Sequence, residues 1–364
     1  MTSGTVVGEM SRHKQVESSG DSTAPVVFAD IRPLLDSLEP RVAIVMAAYN
    51  GGRFIEEQIK SIQAQTYAAW TLYVRDDGSR DDTIQKVSQI AHEDRRVQQV
   101  HDELGTLGAI GNFSALMQVA LQGGAGYVFF ADQDDIWHRE KVVTMLGAMQ
   151  ALEAANGTST PLLVHCDLAV VNEELRPTAS SFAQYSRLSP TTAGLGTLLC
   201  QNQVTGCACV INRSLLKLAC PVPSGVLMHD WWLALLAASV GKVAFIPKPL
   251  VMYRQHGGNV LGAVSLGRRI WELLFSPRQW ALRIIVIKRG FMQAELLKER
   301  IQARQDELPP TILKQIDTYS RILEIAPFQR VGVLRAKGIG RPASSSGLLF
   351  NLLITVMEWK REDL

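Results

Sequence analysis

The feature that most constrains the fold is an alternation of short apolar segments with segments of helical period over residues 41–155. Three of the apolar segments have the length and composition of buried strands: VAIVMAA (42–48), WTLYV (70–74) and YVFFA (127–131). Between the first two, Ile55, Ile59 and Ile62 recur at helical spacing. Strands that alternate with helices predict an α/β fold, in which a mostly parallel central sheet is flanked by helices.

Other elements continue this alternation. A helix is predicted where Ile84, Val87 and Ile90 recur at helical spacing, with Asp81 or Asp82 as its cap. A short strand is predicted near residues 97–100, and further helices are predicted over about 109–122, 139–155 and the segment HDWWLALLAASVG. The pattern therefore predicts one continuous α/β unit that begins near Arg41.

Three regions are predicted along the chain. Apolar residues show no sustained periodic spacing over residues 1–40, so we predict a disordered extension there. We predict the α/β domain over residues 41–262, with a regular half at 41–138 and a more mixed half at 139–262. Residues 263–364 predict a helical C-terminal region in which basic residues alternate with apolar and aromatic ones. Such a segment is typical of helices on an anionic membrane surface, and a solvated helical cap over the core is the alternative.

Composition excludes several classes of protein. A net charge of +2 on 364 residues argues against nucleic acid as the main partner. The five cysteines have no paired CxxC spacing, so we expect neither a zinc site nor a disulfide framework. We expect the protein to occupy a reducing cytosol. The N-terminus lacks the apolar core of a signal peptide, and GLLFNLLITVM near the C-terminus is about half of the ~20 residues that span a bilayer. We therefore expect neither export nor a transmembrane helix.

Polar residues follow each of the three main strands. Asn50 follows the first strand, Asp76 and Asp77 follow the second, and the run Asp132 to Asp135 follows the third. In open α/β sheets, ligands bind beyond the carboxyl ends of the strands. We therefore expect these side chains to converge on one cleft.

The acidic run ADQDD has two interpretations. Adjacent carboxylates repel one another unless a cation lies between them, and Mg²⁺ binds through one or two carboxylates together with substrate phosphates. The run therefore fits a metal–diphosphate site. Alternatively, it is only the acidic start of the following helix, with Lys141 nearby.

Six segments, in this order and spacing, resemble the family 2 glycosyltransferases of the inverting GT-A type, and in particular the bacterial rhamnosyltransferase-like branch: VMAAYNGGRFIEEQIKSIQAQTY, VRDDGSRDDT, FFADQDDIWHREKV, VTGCACVINRSLL, HDWW and YRQHGGN. The resemblance covers about residues 41–260. It implies a GT-A fold with a helical C-terminal extension and the transfer of a sugar from a nucleoside diphosphate with inversion.

The resemblance also implies roles for the matching positions. Asp230 would be the general base. The nucleotide-sugar side would comprise Ala48, Tyr49, Asn50, Asp76, Asp77, Asp132 and Gln133. Asp134, Asp135 and His256 would bind Mg²⁺ or Mn²⁺, with contact to the diphosphate as the alternative for His256. Weaker candidates for contact with the acceptor or the diphosphate are His165, Asp167, Trp137, Gly206, His229, Trp231, Arg254 and Asn259.

Several functional alternatives stay open at this point. The first expectation is L-rhamnose from dTDP-rhamnose, transferred to a growing O-antigen or exopolysaccharide. A UDP-hexose transferase, a sugar nucleotidyltransferase and a degenerate nucleotide-sugar-binding module are the alternatives. The expected partners are the donor and a lipid-linked or polysaccharide acceptor, with a cytoplasmic location that includes contact with the inner face of the membrane. Self-association is left open.

Overall fold

The computed structural model describes residues 41–192, 194–257, 277–304, 308–341 and 345–356. The predicted extension over residues 1–40 and the predicted boundary at 262/263 lie outside these ranges, as does Asn259. Within the described ranges, the predicted alternation of strands and helices is confirmed.

The regular half of the domain contains four parallel strands. They are β1 (Val42–Ala48), β2 (Trp70–Asp76), β3 (Val97–Gln99) and β4 (Tyr127–Ala131), and they alternate with helices α1 (Ile55–Gln63), α2 (Thr83–Glu93) and α3 (Gly108–Gln122), after which α4 (Lys141–Asn156) follows. Val42 of β1 lies opposite Trp70 of β2 and Tyr127 of β4, which fixes the register of all three strands. Their carboxyl ends therefore lie at one edge of the sheet.

The prediction for α2 was wrong at one position. Val87 and Ile90 are buried as expected, but Ile84 is exposed and Thr83 takes the buried place. The Thr83 hydroxyl accepts a hydrogen bond from the backbone N–H of Gly51 at 2.8 Å, so a polar contact fixes the first turn of the helix. Asp81 accepts from the Thr83 N–H at 3.2 Å, whereas Asp82 makes no side-chain cap.

Further strands extend the same sheet and run in both directions. These strands are β5 (Ile136–Trp137), β6 (Leu162–Val171), β7 (Pro177–Ala179), β8 (Cys209–Asn212) and β9 (Lys242–Arg254). The order across the sheet is β3-β2-β1-β4-β8-β6-β9-β5, with β7 paired to β6. Because β6 and β9 run parallel to β1 and β4 whereas β5, β7 and β8 run against them, the sheet is mixed but mostly parallel.

Further helices cover this sheet and extend beyond it. In the second half they are α5 (Phe182–Tyr185), α6 (Leu195–Cys200), α7 (Arg213–Ala219) and α8 (His229–Val240), and in the C-terminal region α9 (Pro277–Gln302), α10 (Pro310–Ser320), α11 (Pro327–Ala336) and α12 (Ser345–Val356). The C-terminal region contacts the domain at α6, where the Gly340 N–H donates to Gly196 O at 3.2 Å and Arg341 donates to Cys200 O at 3.0 Å. Among the described residues, no helix is both long and apolar enough to cross a bilayer.

Two hydrophobic clusters lie on opposite faces of the sheet. Neighbouring residues of a strand point to opposite faces, so Phe129 of β4 packs with α1, α2 and α4 while Phe130 packs with α3, α7, α8 and α9. Both phenylalanines are fully buried. The strand that ends in the acidic run is therefore held from both sides.

Candidate active site

A cavity of about 610 Å³ opens at the carboxyl ends of β1, β2 and β4. Ala48 ends β1, Asp77 follows β2 and Asp132 follows β4, so the predicted convergence of these strand ends on one cleft is observed. His229 and Asp230, at the start of α8, also line the cavity. The predicted site residues that line the cavity are Ala48, Tyr49, Asp77, Asp132, Gln133, Asp134, Gly206, His229 and Asp230.

One wall of the cavity is formed by the loops after β1 and β2. Gln133 joins this wall to the acidic run, because its amide accepts from the Tyr49 N–H at 2.9 Å and donates to Tyr49 O at 3.0 Å. Asn50 has a φ of 49° and accepts from the Arg80 N–H at 2.8 Å, so it shapes the turn and is not among the lining residues.

The two acids after β2 differ in position. Asp76 accepts from the N–H groups of Gly78 and Ser79 at 3.0 and 2.8 Å and lies outside the cavity lining. Asp77 lines the cavity, and its carboxylate accepts from the N–H groups of Leu107 and Gly108 at 2.8 Å each. Asp77 therefore fixes the loop that leads into α3.

The acidic run divides into a part that lines the cavity and a part that lies behind it. Asp132 and Asp134 line the cavity, whereas Asp135 is fully buried behind it. Burial, together with the negative charges of Asp134 and Asp230, raises the pKa of Asp132 above the ordinary aspartate value. Burial and the neighbouring carboxylates raise the pKa of Asp135 as well. Protons or a cation would relieve this concentration of negative charge.

His256 lies beside the acidic run and in contact with it. Its Nε2 is 2.8 Å from Asp134 Oδ2, and its ring packs on Phe54 with centroids 4.7 Å apart. Asp135 has one carboxylate oxygen that accepts from the Arg254 N–H at 3.1 Å and one buried oxygen without a hydrogen-bond partner. The ligand atoms of Asp132, Asp135 and Cys207 lie within 4.8 Å of one another.

Arg254 does not face the cavity, contrary to the expectation that it contacts acceptor or diphosphate. Its buried guanidinium donates to Asp134 O at 2.8 Å, to Glu173 O at 2.7 Å and to the Glu57 carboxylate at 2.6 Å. It also packs over the Phe54 ring at 4.6 Å. Arg254 therefore joins the acidic run to α1 and to the turn after β6, and it acts on the site through Asp134.

Asp230 is held in a fixed orientation by three donors. One carboxylate oxygen accepts from the Trp231 N–H at 2.6 Å and from Asn202 Nδ2 at 3.1 Å, and the other accepts from the Gly206 N–H at 2.9 Å. Burial raises the pKa of Asp230 to about 6, although these hydrogen bonds oppose the shift. A carboxylate in this state is an adequate proton acceptor near neutral pH.

His229 is buried and packs tightly in the same wall. Its ring stacks on Phe113 with centroids 3.9 Å apart, and neither ring nitrogen has a hydrogen-bond partner. Burial lowers the pKa of His229 to about 3, so the ring is neutral. A Cβ on Gly206 would lie 2.8 Å from His229 Nε2, so only glycine fits at this point without a shift of the ring.

Four weaker candidates lie in the core and not on the cavity lining. His165 is buried on β6 against Phe245, and burial lowers its pKa to about 3. Asp167 accepts from the N–H groups of Leu168 and Ala183 and from the Ser181 hydroxyl, so it fixes the start of α5. Trp231 donates to Leu198 O at 2.6 Å. Trp137 is buried on β5, under the ammonium group of Lys141. Hydrophobic packing explains the two tryptophans and the histidine.

Three residues of the site were not expected from the sequence. Asn202 orients Asp230 from a loop without periodicity, so no local signal marks it. Arg75 donates to Asp77 at 3.0 Å and forms two bonds with Asp102, and a single cation inside an apolar strand was the available signal. Lys141 is fully buried and donates to Cys207 O at 2.6 Å. Burial lowers the pKa of Lys141 to about 8.

Comparison with known proteins shows what the chain is similar to. Residues 43–162 match the family described as Glycosyl transferase family 2. The dTDP-rhamnosyl transferase RfbG of Shigella flexneri is 27% identical over 248 residues, which cover 65% of this chain and 80% of that protein. The chain is a glycosyltransferase, and its residues 43–162 match family 2. The alternatives of a sugar nucleotidyltransferase and of a binding module without activity are therefore set aside.

Two further comparisons concern a relative of the transferase and its fold. The UDP-Glc:alpha-D-GlcNAc-diphosphoundecaprenol beta-1,3-glucosyltransferase WfgD of Escherichia coli is 34% identical over 108 residues, which cover 30% of the transferase and 40% of that protein. The structure of S. aureus TarS 1-349 in complex with UDP-GlcNAc has a TM-score of 0.50 at 13% identity, with 86% of the transferase and 90% of that chain covered. The predicted GT-A fold is confirmed.

The residues of the transferase fit a divalent cation of the kind that the resemblance implies. Asp132 and Asp134 offer carboxylate oxygens to the cavity, and hard cations such as Mg²⁺ and Mn²⁺ take oxygen ligands. The imidazole of His256 lies in contact with Asp134, and Asp135 holds a buried oxygen without a partner. Asp134 and His256 could therefore each offer a ligand atom, and Asp132, Asp135 and Cys207 form a second group of such atoms.

Proposed function

We propose that the transferase moves L-rhamnose from dTDP-rhamnose to a hydroxyl group of a lipid-linked, growing cell-surface glycan, with inversion at the anomeric carbon. The choice of donor is supported by the similarity to a dTDP-rhamnosyl transferase along 65% of the chain. The choice of acceptor is supported by the similarity to WfgD, whose name specifies a sugar on diphosphoundecaprenol. Such an acceptor would place the reaction at the cytoplasmic face of the membrane.

The observation that carries this proposal is that Asp230 lines the same cavity as Asp132 and Asp134, close enough for its charge to act on Asp132. Asp230 would take the proton of the acceptor hydroxyl while that oxygen attacks the anomeric carbon. In the same displacement, the bond from this carbon to the diphosphate oxygen breaks, and the nucleoside diphosphate leaves with the bonding electrons. Because Asn202, Gly206 and Trp231 already orient the carboxylate, little reorganisation is needed on binding.

The donor would occupy the walls formed by the strand ends. Ala48, Tyr49 and Asp77 would contact the nucleotide, and Asp132 with Gln133 would contact the ribose or the sugar. Asp134 and His256 would hold Mg²⁺ or Mn²⁺, which when bound offsets the charge of the diphosphate leaving group. Asp135 would support this site from behind, because its carboxylate lies outside the cavity lining.

A UDP-hexose donor is the second candidate, and the WfgD similarity favours it. A donor screen separates the two. Release of nucleoside diphosphate is measured with dTDP-rhamnose, UDP-glucose, UDP-galactose, UDP-N-acetylglucosamine and GDP-mannose, each with Mg²⁺ or Mn²⁺. We expect dTDP-rhamnose to give the highest kcat/KM, and Asp134→Asn to abolish its turnover. A higher kcat/KM with a UDP-sugar would replace the donor assignment, and turnover that persists in EDTA would remove the metal from the proposal.

A further inference from the structure

Helix α9 is apolar on two opposite sides. Ile287, Phe291, Ala294 and Leu297 face the core and are buried. On the other side, Leu282, Ile285, Val286 and Met292 remain 40–48% exposed, and the exposed Arg289 lies among them at helical spacing. We call these five residues the α9 face. Isolated exposed apolar residues are ordinary, but four on consecutive turns of one helix mark an interaction surface.

Helix α12 repeats this arrangement. Leu348, Leu352 and Val356 recur every four residues and are 49–71% exposed, while Phe350 and Leu353 on the other side are buried. Arg341 adjoins both helices, because it packs over the Phe350 ring at 4.8 Å and lies near the charge of Arg283 on α9. Exposed apolar surface in the C-terminal region is therefore not confined to one helix.

The charge around the α9 face indicates what it contacts. Residues 277–304 contain seven basic and two acidic residues, although the whole chain has a net charge of only +2. Of the basic residues, Lys298 pairs with Asp317 and Arg300 donates to backbone carbonyls at the end of α7, whereas Arg289 is exposed on the α9 face itself. A second copy of the chain, docked by two-fold symmetry, would bring the same cationic faces together. An anionic bilayer complements both the charge and the apolar side chains.

We propose that the α9 face binds the surface of an anionic phospholipid bilayer. Its connection to the active site is short: α9 packs on α8, and Gln293 of α9 accepts from the Leu227 N–H at 2.8 Å. Asp230 lies in the first turn of α8, three residues after Leu227. Only the purpose of this binding rests on the proposed function: it would hold the cavity next to a lipid-linked acceptor.

Vesicle flotation tests the surface in the full-length transferase. Vesicles of phosphatidylcholine, with and without phosphatidylglycerol, are floated at low salt and at raised salt. We expect flotation with phosphatidylglycerol and a decline with salt. The variant with Ile285→Glu and Val286→Glu should lose flotation, and Arg289→Gln should weaken binding by about fivefold. Val143→Glu on α4, where the native valine is 39% exposed, is the matched control and should float like the wild type.

The outcomes distinguish a bilayer-binding surface from a dimer interface. Equal flotation of the wild type and the Ile285/Val286 variant would overturn the proposal, as would a wild type that ignores phosphatidylglycerol. A dimer in light scattering that the same variant dissociates, without any flotation, would assign the α9 face to a second copy instead. Donor binding is measured by calorimetry in every variant. If no dTDP- or UDP-sugar binds while flotation persists, the proposed function fails and the surface stands.

Discussion

Replacement of Asp230 by asparagine tests the proposed base with the smallest change in shape. The asparagine oxygen can keep the bonds from Trp231 and Asn202, but its NH₂ group then faces the Gly206 N–H, which donates to Asp230 at 2.9 Å in the native protein. A buried N–H without an acceptor costs about 1–3 kcal/mol. The substitution also removes a buried negative charge. The rise in the pKa of Asp230 to about 6 means that this charge lowers the stability of the folded state by about 3 kcal/mol at pH 7.

These two effects oppose each other, so we expect the free energy of unfolding of Asp230→Asn to lie within about 2 kcal/mol of the wild type at pH 7. The sign of the pH dependence follows from the raised pKa. Between its unfolded pKa and about 6, the folded carboxyl binds more protons than the unfolded one, so the stability it contributes at low pH is lost as the pH rises. From pH 5 to pH 7, the wild type should lose about 1 kcal/mol relative to Asp230→Asn.

Activity should respond much more strongly than stability. Loss of a general base lowers kcat by about 10²–10⁴-fold, while calorimetric donor binding should be retained. In the wild type, kcat/KM should fall as the pH drops below about 6, because the protonated carboxyl cannot accept the acceptor proton. Chemical denaturation at pH 5 and pH 7 gives the free energy of unfolding, and rate measurements over the same pH range give kcat and kcat/KM. A variant that keeps a tenth or more of the wild-type kcat, or that shows the same decline below pH 6, would refute the role of Asp230.

Three further changes test the support of the site and of the C-terminal helices. Arg254→Lys replaces three directed hydrogen bonds by one ammonium group. We therefore expect the Mn²⁺ dissociation constant, measured by calorimetry, to rise about 10–100-fold. An unchanged constant would contradict the link through Asp134. Gly206→Ala places a Cβ 2.8 Å from His229 Nε2, so thermal unfolding should show a loss of about 1–3 kcal/mol together with a lower kcat, whereas wild-type values would mean that the ring moves freely. Gly196→Ala places a Cβ 2.0 Å from Gly338 O, at the contact between α6 and the C-terminal region, so limited proteolysis of the C-terminal helices should accelerate. Gly332→Ala on α11 is the control, because a Cβ there meets nothing within 4 Å, and this variant should not be cleaved faster.

The sheet and its covering helices were predictable because periodicity reports burial directly. Residues 42–48 and 127–131 were predicted as strands and form β1 and β4, and Ile55, Ile59 and Ile62 are buried as expected. The prediction for α2 was wrong at Ile84, because Thr83 takes the buried place on this helix and accepts a hydrogen bond there from the Gly51 N–H. Local apolar spacing contains no information about such a contact across 32 residues.

The position of individual site residues was harder to predict than the location of the site. The strand ends indicated where the cavity would lie, and the acids and Asp230 were named from the resemblance. Chemistry alone made Arg254 a candidate for phosphate, since a guanidinium suits that role. Its actual partners, Glu57, Asp134 and Glu173, are 197, 120 and 81 residues away in the chain, and only the folded structure brings them together.

The same distant contacts explain how a buried strand can end in three carboxylates. Asp135 is fully buried, and two buried cations lie behind it: the Arg254 backbone N–H donates to Asp135, and Lys141 contacts Cys207 O while its charge acts on Asp135 and Asp132. Neither cation lines the cavity, and Lys141 offsets only part of the negative charge at Asp132, whose pKa stays raised. Asp132 and Asp134 therefore keep an excess of negative charge at the mouth of the sheet, which favours a cation there. The buried partners hold the acidic run in place, and the charge that they leave uncompensated is what the site offers to its ligands.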